Sequence, residues 1–307
     1  MVLSKNMQKL VAGSSTIRKL FEEGIELAKE VGAENVYDFS LGNPAAPVPE
    51  EVKKSIYDIL ENRNANFVHC YMPNAGYPEV REKVAANLNK KYNSSFTKDD
   101  IIMTVGAAGG INCVLRSLLE PEDEVLCFAP FFGEYNSYVM NFGGNLKVVP
   151  ADYETFQLNV EEADKYITER TKAVIINNPN NPSGVVYNKE TLIRLQKMLE
   201  KAEERIGHPI YVLSDEPYRE LVYDGCELPF APDYIKNCIV VYSFSKSLSL
   251  SGERIGYMAV SRQIAVVGPD DYASMQAAAE AEDEAEENAS DLESVEAETQ
   301  EAEYNKT

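Results

Sequence analysis

The stretch AVIINNPNNPSG, residues 173–184, joins a short apolar run to a loop that contains two prolines. Its apolar residues follow one another without the alternation of a half-exposed strand, which favours a strand covered on both faces. The asparagines and prolines that follow predict a turn, and this turn carries Asn181. The stretch therefore predicts a strand of an α/β sheet whose carboxyl end meets a polar loop.

Short β-rich runs of the same kind recur through the chain after residue 100. We predict strands at residues 101–105, 125–128, 146–149, 173–177, 210–214, 239–243 and 255–260. Helical periodicity lies between several of them, most clearly at 189–205, and earlier helices are predicted at 14–31 and from about 50 to 62. This alternation indicates a mainly parallel sheet, or a mixed one with an antiparallel edge strand, sandwiched by helices.

Charge and composition divide the chain into three parts. Of the net charge of −21, −13 falls in residues 263–307, which contain few aliphatic residues larger than Ala. Such a segment buries too little apolar surface to offset the entropy of ordering, so we expect a disordered acidic tail there. We expect a helical segment at 1–40 and one large domain at 41–262. No part offers a basic patch, so we expect no nucleic-acid partner.

The cysteines, histidines and apolar runs narrow the class further. Five scattered cysteines and two histidines form no zinc-ligand pattern, so no metal site is expected. No apolar run reaches the roughly 18 residues that a membrane span needs, and residues 1–19 lack the pattern of a secretory signal. We therefore expect a cytoplasmic protein with reduced thiols and no contact with a membrane.

Small or polar residues follow four of the predicted strands. They are the glycine-rich residues 106–110, then Asn181, then Asp215 with Tyr218, then Lys246 with Arg254. Because ligands of α/β sheets bind beyond the carboxyl ends of the strands, we expect these groups to line one crevice. Residues 106–110 suit an anion at a helix N-terminus, but they lack GxGxxG and a P-loop ending, which disfavours a dinucleotide or nucleotide site.

Four motifs together resemble the class I/II aminotransferases, the fold-type-I enzymes that depend on pyridoxal 5'-phosphate (PLP). They are YMPNAGYPEVR at 71–81, NNPNNPSG at 177–184, SDEPYREL at 214–221 and SFSKSLSLSGERIGY at 243–257. The resemblance spans roughly residues 40–260 and implies the PLP-binding large domain of that fold. It also implies amino-group exchange between an amino acid and a 2-oxo acid, in a homodimer.

The resemblance assigns the catalytic roles to Lys246, Asp215 and Tyr218. Lys246 would form the Schiff base with PLP and move the proton from the substrate's α-carbon. Asp215 would pair with the pyridine nitrogen and keep it protonated. Asn181 and Tyr218 would hydrogen-bond the phenolic oxygen of the ring.

The remaining implied contacts concern the phosphate, the ring face and the substrate. Those to the phosphate would come from Ser243, Ser245, Arg254 and the backbone N–H groups of Ala107 and Ala108. Phe132 would stack on the pyridine ring, and Tyr71 would reach the phosphate of the neighbouring subunit. Gly42 and Asn43 match the loop on the substrate side.

Each of these residues also has a plainer interpretation. Lys246 can be an exposed lysine after a strand, Asp215 a helix N-cap and Asn181 a turn residue. Residues 106–110 can serve close helix–strand packing, and Phe132 can be a core aromatic.

The sequence departs from the family pattern after GYMAV, residues 256–260. The family normally continues there with a segment that supplies an arginine for the substrate carboxylate, whereas here Arg262 and the acidic tail follow. We therefore expect weakened substrate orientation, with transaminase activity in doubt. A lyase of the same fold, and an inactive PLP-binding remnant that acts through interactions, stay open as alternatives.

Overall fold

The computed structural model describes residues 3, 7–8, 16–40, 42–92, 94–261 and 264. By its contacts the chain divides into two units, Met1–Ile264 and Ala265–Thr307. The acidic tail predicted at 263–307 lies outside the described residues, Ile264 excepted, and so does Arg262. No helix among the described residues has the length and apolar character needed to cross a membrane.

The described residues form one seven-stranded sheet in the order β1-β7-β6-β5-β4-β2-β3. The strands are β1 Ile101–Thr104, β2 Glu124–Phe128, β3 Asn145–Val149, β4 Thr171–Asn177, β5 Tyr211–Asp215, β6 Cys238–Ser243 and β7 Gly256–Val260. All seven predicted strands are confirmed, with ends that differ by no more than two residues.

The sheet is mixed, because β7 runs antiparallel to both of its neighbours, β1 and β6. The other neighbouring pairs are parallel. The antiparallel strand therefore lies next to the edge of the sheet rather than at it. Its direction follows from the preceding connection, which contains one helix of only four residues, Phe244–Ser247. A parallel crossover usually returns through a helix along the face of the sheet, and a four-residue helix is too short for that.

Nine α-helices are present in the described part of the chain. They are α1 Thr16–Val31, α2 Glu50–Asn62, α3 Ala65–Val68, α4 Pro78–Lys91, α5 Gly106–Leu118, α6 Glu134–Met140, α7 Val160–Ala163, α8 Lys189–Ile206 and α9 Phe244–Ser247. The three helices predicted from periodicity correspond to α1, α2 and α8.

The longest helix, α8, has a clear signal at each end. The Asn188 side chain accepts a hydrogen bond from the backbone N–H of Thr191, and Gly207 ends the helix with φ 82°. Leu192, Leu195 and Leu199 are buried on one face of it. Local signals and the apolar stripe thus agree.

Helices cover both faces of the sheet, and the sheet separates two hydrophobic clusters, one on each face. Along β4, Val174 and Ile176 point into one cluster, which includes buried residues of α4 and α8. Ala173 and Ile175 point into the other, which includes buried residues of α5 and α6. This alternation is the consequence of the two-residue side-chain period of a strand, and it confirms the predicted sandwich.

The register of the sheet aligns the strand ends that precede the candidate site. Thr104 pairs with Gly256, which pairs in turn with Ser243. Asn177 pairs with Asp215. Since β1, β4, β5 and β6 point the same way, their carboxyl ends lie at one edge of the sheet.

Two glycines permit the close approach of α5 to β7 at this edge. A Cβ on Gly256 would lie 2.3 Å from the Tyr242 carbonyl oxygen and 2.8 Å from the carbonyl carbon of Gly106. Gly106 has φ 68°, and a Cβ there would lie 2.8 Å from Nη2 of Arg254. The start of α5 is therefore packed directly against the strand and against the arginine.

We expect Gly256→Ala to destabilise the protein by roughly 2 kcal/mol or more, because the added methyl group meets backbone atoms that cannot move aside. Gly252→Ala is the matched control, since a Cβ there meets nothing within 4 Å; its cost should stay below about 0.5 kcal/mol. Denaturant unfolding of both variants measures the difference. Equal stabilities would contradict the close packing described at Gly256.

Candidate active site

Asp215 lies at the carboxyl end of β5 and is 5% exposed. The Tyr135 hydroxyl donates a hydrogen bond of 2.6 Å to its Oδ2. Burial raises the pKa of Asp215 to about 7; the Tyr135 hydrogen bond opposes this rise and the nearby Glu216 charge adds to it. The carboxyl is thus held in place by one of its two oxygens.

The other oxygen, Oδ1 of Asp215, is buried without a hydrogen-bond partner among the described residues. Buried polar atoms in folded proteins almost always have partners, so an unpaired one indicates a missing donor. A protonated ring nitrogen is a donor of the right kind, because its charge would also favour the ionised carboxylate. The donor set at Asp215 therefore fits the pyridine nitrogen of PLP.

Asn181 and Tyr218 meet beside Asp215. The Asn181 amide donates to the Tyr218 hydroxyl over 3.1 Å. Its backbone N–H donates to Oδ1 of Asn177 over 2.6 Å, and the Asn177 amide donates to the Asp215 carbonyl over 2.8 Å. The proline-rich turn and the SDEPYREL segment are thereby joined. Residues 217–220 form turns rather than a helix, so Asp215 does not cap one.

Lys246 lies in α9, close to the same groups. Its Nζ donates to the Gly42 carbonyl and lies 5.9 Å from the centroid of the Tyr218 ring. Burial, and then the Arg254 charge, lower the pKa of Lys246. A lower pKa leaves more of the amine uncharged near neutral pH, which nucleophilic attack on an aldehyde requires.

The contact with Gly42 brings the predicted substrate-side loop to the lysine. A Cβ on Gly42 would lie 3.2 Å from Nζ of Lys246, so the backbone at this position approaches the amine closely. The next residue, Asn43, is exposed. Of the two residues predicted for the substrate side, Gly42 thus lies at Lys246, although it precedes the lysine by 204 positions in the sequence.

Two hydroxyls, a guanidinium and a helix N-terminus converge beyond β6. The Ser243 and Ser245 hydroxyls are 2.7 Å apart, and Nη1 of Arg254 donates to Oγ of Ser245 over 3.4 Å. Ala107 and Ala108 lie in the first turn of α5, which has no side-chain cap and no acidic residue. Cationic and N–H donors without a nearby carboxylate suit a phosphate group.

Glycines 106 and 110 combine the two interpretations left open by the sequence. Gly106 adjoins the Arg254 guanidinium, whereas a Cβ on Gly110 would lie 2.7 Å from Cγ1 of Val241 on β6. The glycine-rich segment therefore permits both the close approach of the start of α5 to Arg254 and the close packing of α5 on the sheet.

Of the two aromatic residues predicted to contact the cofactor, Phe132 lies close to Asp215, whereas Tyr71 lies apart from it. Phe132 is half-buried just before α6, and its ring packs edge-on against Tyr135, with centroids 5.6 Å apart. Through Tyr135 it is connected to Asp215. Tyr71 is fully exposed, and among the described residues no hydrogen bond or ring contact joins it to the cluster.

Three residues of this site were missed by the sequence analysis: Tyr135, Glu216 and Arg219. Tyr135 follows Phe132 by three positions and resembles any core aromatic on a helix, and nothing local connects it with Asp215, 80 residues away. Glu216 and Arg219 form a buried ion pair within SDEPYREL. Their i, i+3 spacing was the available signal, but an exposed helical pair has the same spacing.

Comparison with protein families and curated proteins gives consistent matches. The family described as aminotransferase class I and II matches residues 33–284. A probable aspartate/prephenate aminotransferase of Aquifex aeolicus is 34% identical over 78% of this chain and 60% of that protein. Aromatic-amino-acid aminotransferase 2 of Thermococcus litoralis is 34% identical over 84% of this chain and 63% of that protein. The chain thus spans about three fifths of these relatives' length.

Solved structures match over the same part of the chain. An aminotransferase of Eubacterium rectale has a TM-score of 0.82 at 44% identity, covering 86% of this chain and 67% of that one. Aspartate aminotransferase of Thermus thermophilus with maleate has a TM-score of 0.73 at 30% identity, covering 85% and 65%. The structural comparison and the sequence comparison therefore both indicate the aminotransferases of class I and II.

We expect the stability of the wild type relative to Asp215→Asn, without added cofactor, to fall as the pH rises from about 4 to 7. The folded protein retains the Asp215 proton up to a pKa of about 7, whereas the unfolded chain releases it near 3.8. The wild type should lose roughly 1.5 kcal/mol relative to the variant between pH 5.5 and 7, and little more above pH 8. Urea unfolding at several pH values measures this. A difference independent of pH would contradict the retained proton.

Proposed function

The chain belongs to the class I and II aminotransferase family, whose fold is that of the type I PLP enzymes, and on this premise we propose that it binds PLP at the cluster around Asp215 and Lys246. The family depends on PLP. We further propose that the protein exchanges an amino group between an amino acid and a 2-oxo acid. The relatives' names favour aspartate or an aromatic amino acid as donor.

One observation carries the proposal: the unpaired, buried Oδ1 of Asp215. A buried carboxylate that lacks a donor is destabilising unless a ligand provides one. The protonated pyridine nitrogen of PLP is such a donor. The Nζ of Lys246 is close to the same place, 5.9 Å from the centroid of the Tyr218 ring.

When bound, PLP supplies an electron-accepting ring conjugated to the amino group of the substrate. Asp215 keeps the ring nitrogen protonated, and Asn181 and Tyr218 donate to the phenolic oxygen. Arg254, Ser243, Ser245 and the N–H groups of Ala107 and Ala108 hold the phosphate. Phe132 covers one face of the ring. Together these residues would hold PLP at its ring nitrogen, at its phenolic oxygen, at its phosphate and on one face of the ring.

Lys246 has two tasks in this proposal. Its Nζ would hold the cofactor, and it would also accept the proton from the α-carbon of the bound amino acid. Its lowered pKa suits both tasks, because each requires the uncharged amine. Gly42 and Asn43 line the side from which the amino acid enters.

We also propose a cytoplasmic homodimer whose subunits share their active sites. The exposed large hydrophobic residues include a dense group in residues 20–72, among them Phe39, Tyr57 and the fully exposed Tyr71. Such a surface supports association with a second subunit. In the dimer, Tyr71 of one subunit would donate to the phosphate held by the other. All five cysteines are free thiols, which suits a reducing compartment.

We expect the purified protein to develop a visible absorbance band on titration with PLP, and Lys246→Ala to develop none. Borohydride should fix the cofactor to the wild type, and peptide mapping should locate it at Lys246. Lys236→Ala is the matched control, because Lys236 is an exposed lysine paired with Glu200; it should behave as the wild type. A band that persists in Lys246→Ala, or none in the folded wild type, would contradict the proposal. Conversion of the cofactor by aspartate or phenylalanine then tests transamination.

We expect co-expression of Tyr71→Ala and Lys246→Ala chains to restore part of the PLP affinity that each variant loses. If Tyr71 acts across the dimer, one site of the hybrid contains both intact residues and the other contains neither. Affinity-tagged hybrid dimers and absorbance titration provide the measurement. Hybrids that bind no better than Tyr71→Ala alone would place Tyr71 and Lys246 of one site in the same subunit.

A further inference from the structure

Glu216 and Arg219 form an ion pair in the middle of the segment that carries Asp215 and Tyr218. Their side chains are 2% and 3% exposed, the most deeply buried of the ion pairs among the described residues. No step of the proposed reaction uses either of them. The desolvation free energy of a buried ion pair can exceed its Coulombic gain, so stability alone does not explain why this pair is present.

The Glu216 carboxylate is fully engaged by neighbouring donors. The Ser214 hydroxyl donates to its Oε1 over 2.6 Å. Arg219 donates to its Oε2 through Nε, over 2.8 Å, and through Nη2. The backbone N–H of Glu216 donates to the carbonyl of Val241 on β6 over 2.9 Å. The bonds between Glu216 and Arg219 therefore close a loop around Pro217 and Tyr218. The backbone bond from Glu216 to Val241 attaches the start of this loop to β6.

The Arg219 guanidinium is enclosed by three aromatic rings from separate elements. It lies 5.3 Å from the ring centroid of Tyr92 at the end of α4, 5.1 Å from that of Phe230 and 5.4 Å from that of Tyr242 on β6. A planar guanidinium can stack on such rings while it donates to a carboxylate, whereas a lysine ammonium cannot do both with the same geometry. Arg219 thus anchors the turn to the body of the domain.

We propose that Glu216 and Arg219 are positioning residues for the cofactor, which fix the distance between Asp215 and Tyr218 and keep the Asp215 carboxylate able to ionise. This inference rests on the proposed function and deepens it. Asp215 would contact the nitrogen of the ring and Tyr218 its phenolic oxygen, so the turn between them sets how the ring is seated. Groups that hold a reacting geometry lose effect when they shift by about 1 Å.

The electrostatic part of the inference concerns Asp215. Four titratable side chains from the surrounding elements face it: Tyr135, Tyr138, Tyr218 and Glu216. Of these four side chains only Glu216 adds a negative charge, which raises the pKa of Asp215, and Glu216 is itself paired with Arg219. The titratable side chains around Arg219 are Glu216, Tyr92, Tyr242 and Tyr257. Glu220 lies next to Tyr242. Removal of Arg219 alone would leave Glu216 unbalanced beside Asp215.

The test uses the full chain and the affinity for PLP, measured by absorbance from pH 6 to 8.5. Arg219→Met should weaken binding at neutral pH about tenfold for each unit by which the pKa of Asp215 rises. The pH at which affinity is half-maximal should move upward. Glu216→Gln/Arg219→Met, which removes both charges, should return this pH to the wild-type value while binding stays weaker. Arg194→Met, which removes an exposed arginine paired with Glu161, is the control and should match the wild type.

Arg219→Lys separates geometry from charge and serves also if Arg219→Met does not fold. It keeps the positive charge, so the half-maximal pH should stay unchanged, but it loses the fork and the stacking, so affinity should fall several-fold. An unchanged affinity in Arg219→Lys would overturn the positioning role. A merely structural role predicts equal losses in the single and double variants with no shift in pH. Failure of the proposed function is a distinct result, because the wild type itself would then bind no PLP at Lys246.

Discussion

Burial of one carboxylate at the end of a central strand governs the arrangement of this site. Asp215 is buried at the sheet edge, and among the described residues only its Oδ2 has a hydrogen-bond partner, the Tyr135 hydroxyl. The other oxygen is buried without a partner among the described residues, so a donor that binds there would favour its ionised form. An ionised carboxylate in this position is a poor contributor to the stability of the chain by itself, and in the proposed function it contributes to the binding of PLP.

Close backbone contact provides the second requirement of the site. Glycine at 106 and 256 lets α5 begin directly on β7, which brings its free N–H groups to the Arg254 guanidinium. A side chain at either position would separate the helix from the strand or from the Arg254 guanidinium. The antiparallel direction of β7 matters here, because it returns the chain from Lys246 to the same edge and so places Arg254 next to Ser245.

The buried pair of Glu216 and Arg219 shows how a turn outside regular structure can be made rigid. Residues 217–220 have no helix or strand to define them, yet they carry Tyr218. Hydrogen bonds to Ser214 and to β6, together with three aromatic rings, replace the order that a ladder or helix would give. The proposed function requires such precision, because Asp215 and Tyr218 would contact opposite ends of one small ring from the same segment.

Apolar periodicity and short motifs are local, so the strands, the main helices and most of the polar groups of the candidate site could be predicted from the sequence. Lys246, Asp215, Asn181 and Arg254 stood out by their places after strands. Long-range packing, by contrast, places β1 beside β7 at the edge of the sheet, the Tyr135 hydroxyl on Asp215 and the Gly42 carbonyl on Lys246. These depend on contacts between residues 80 or more positions apart, and such contacts are set by how the strands and loops pack, which no local pattern records.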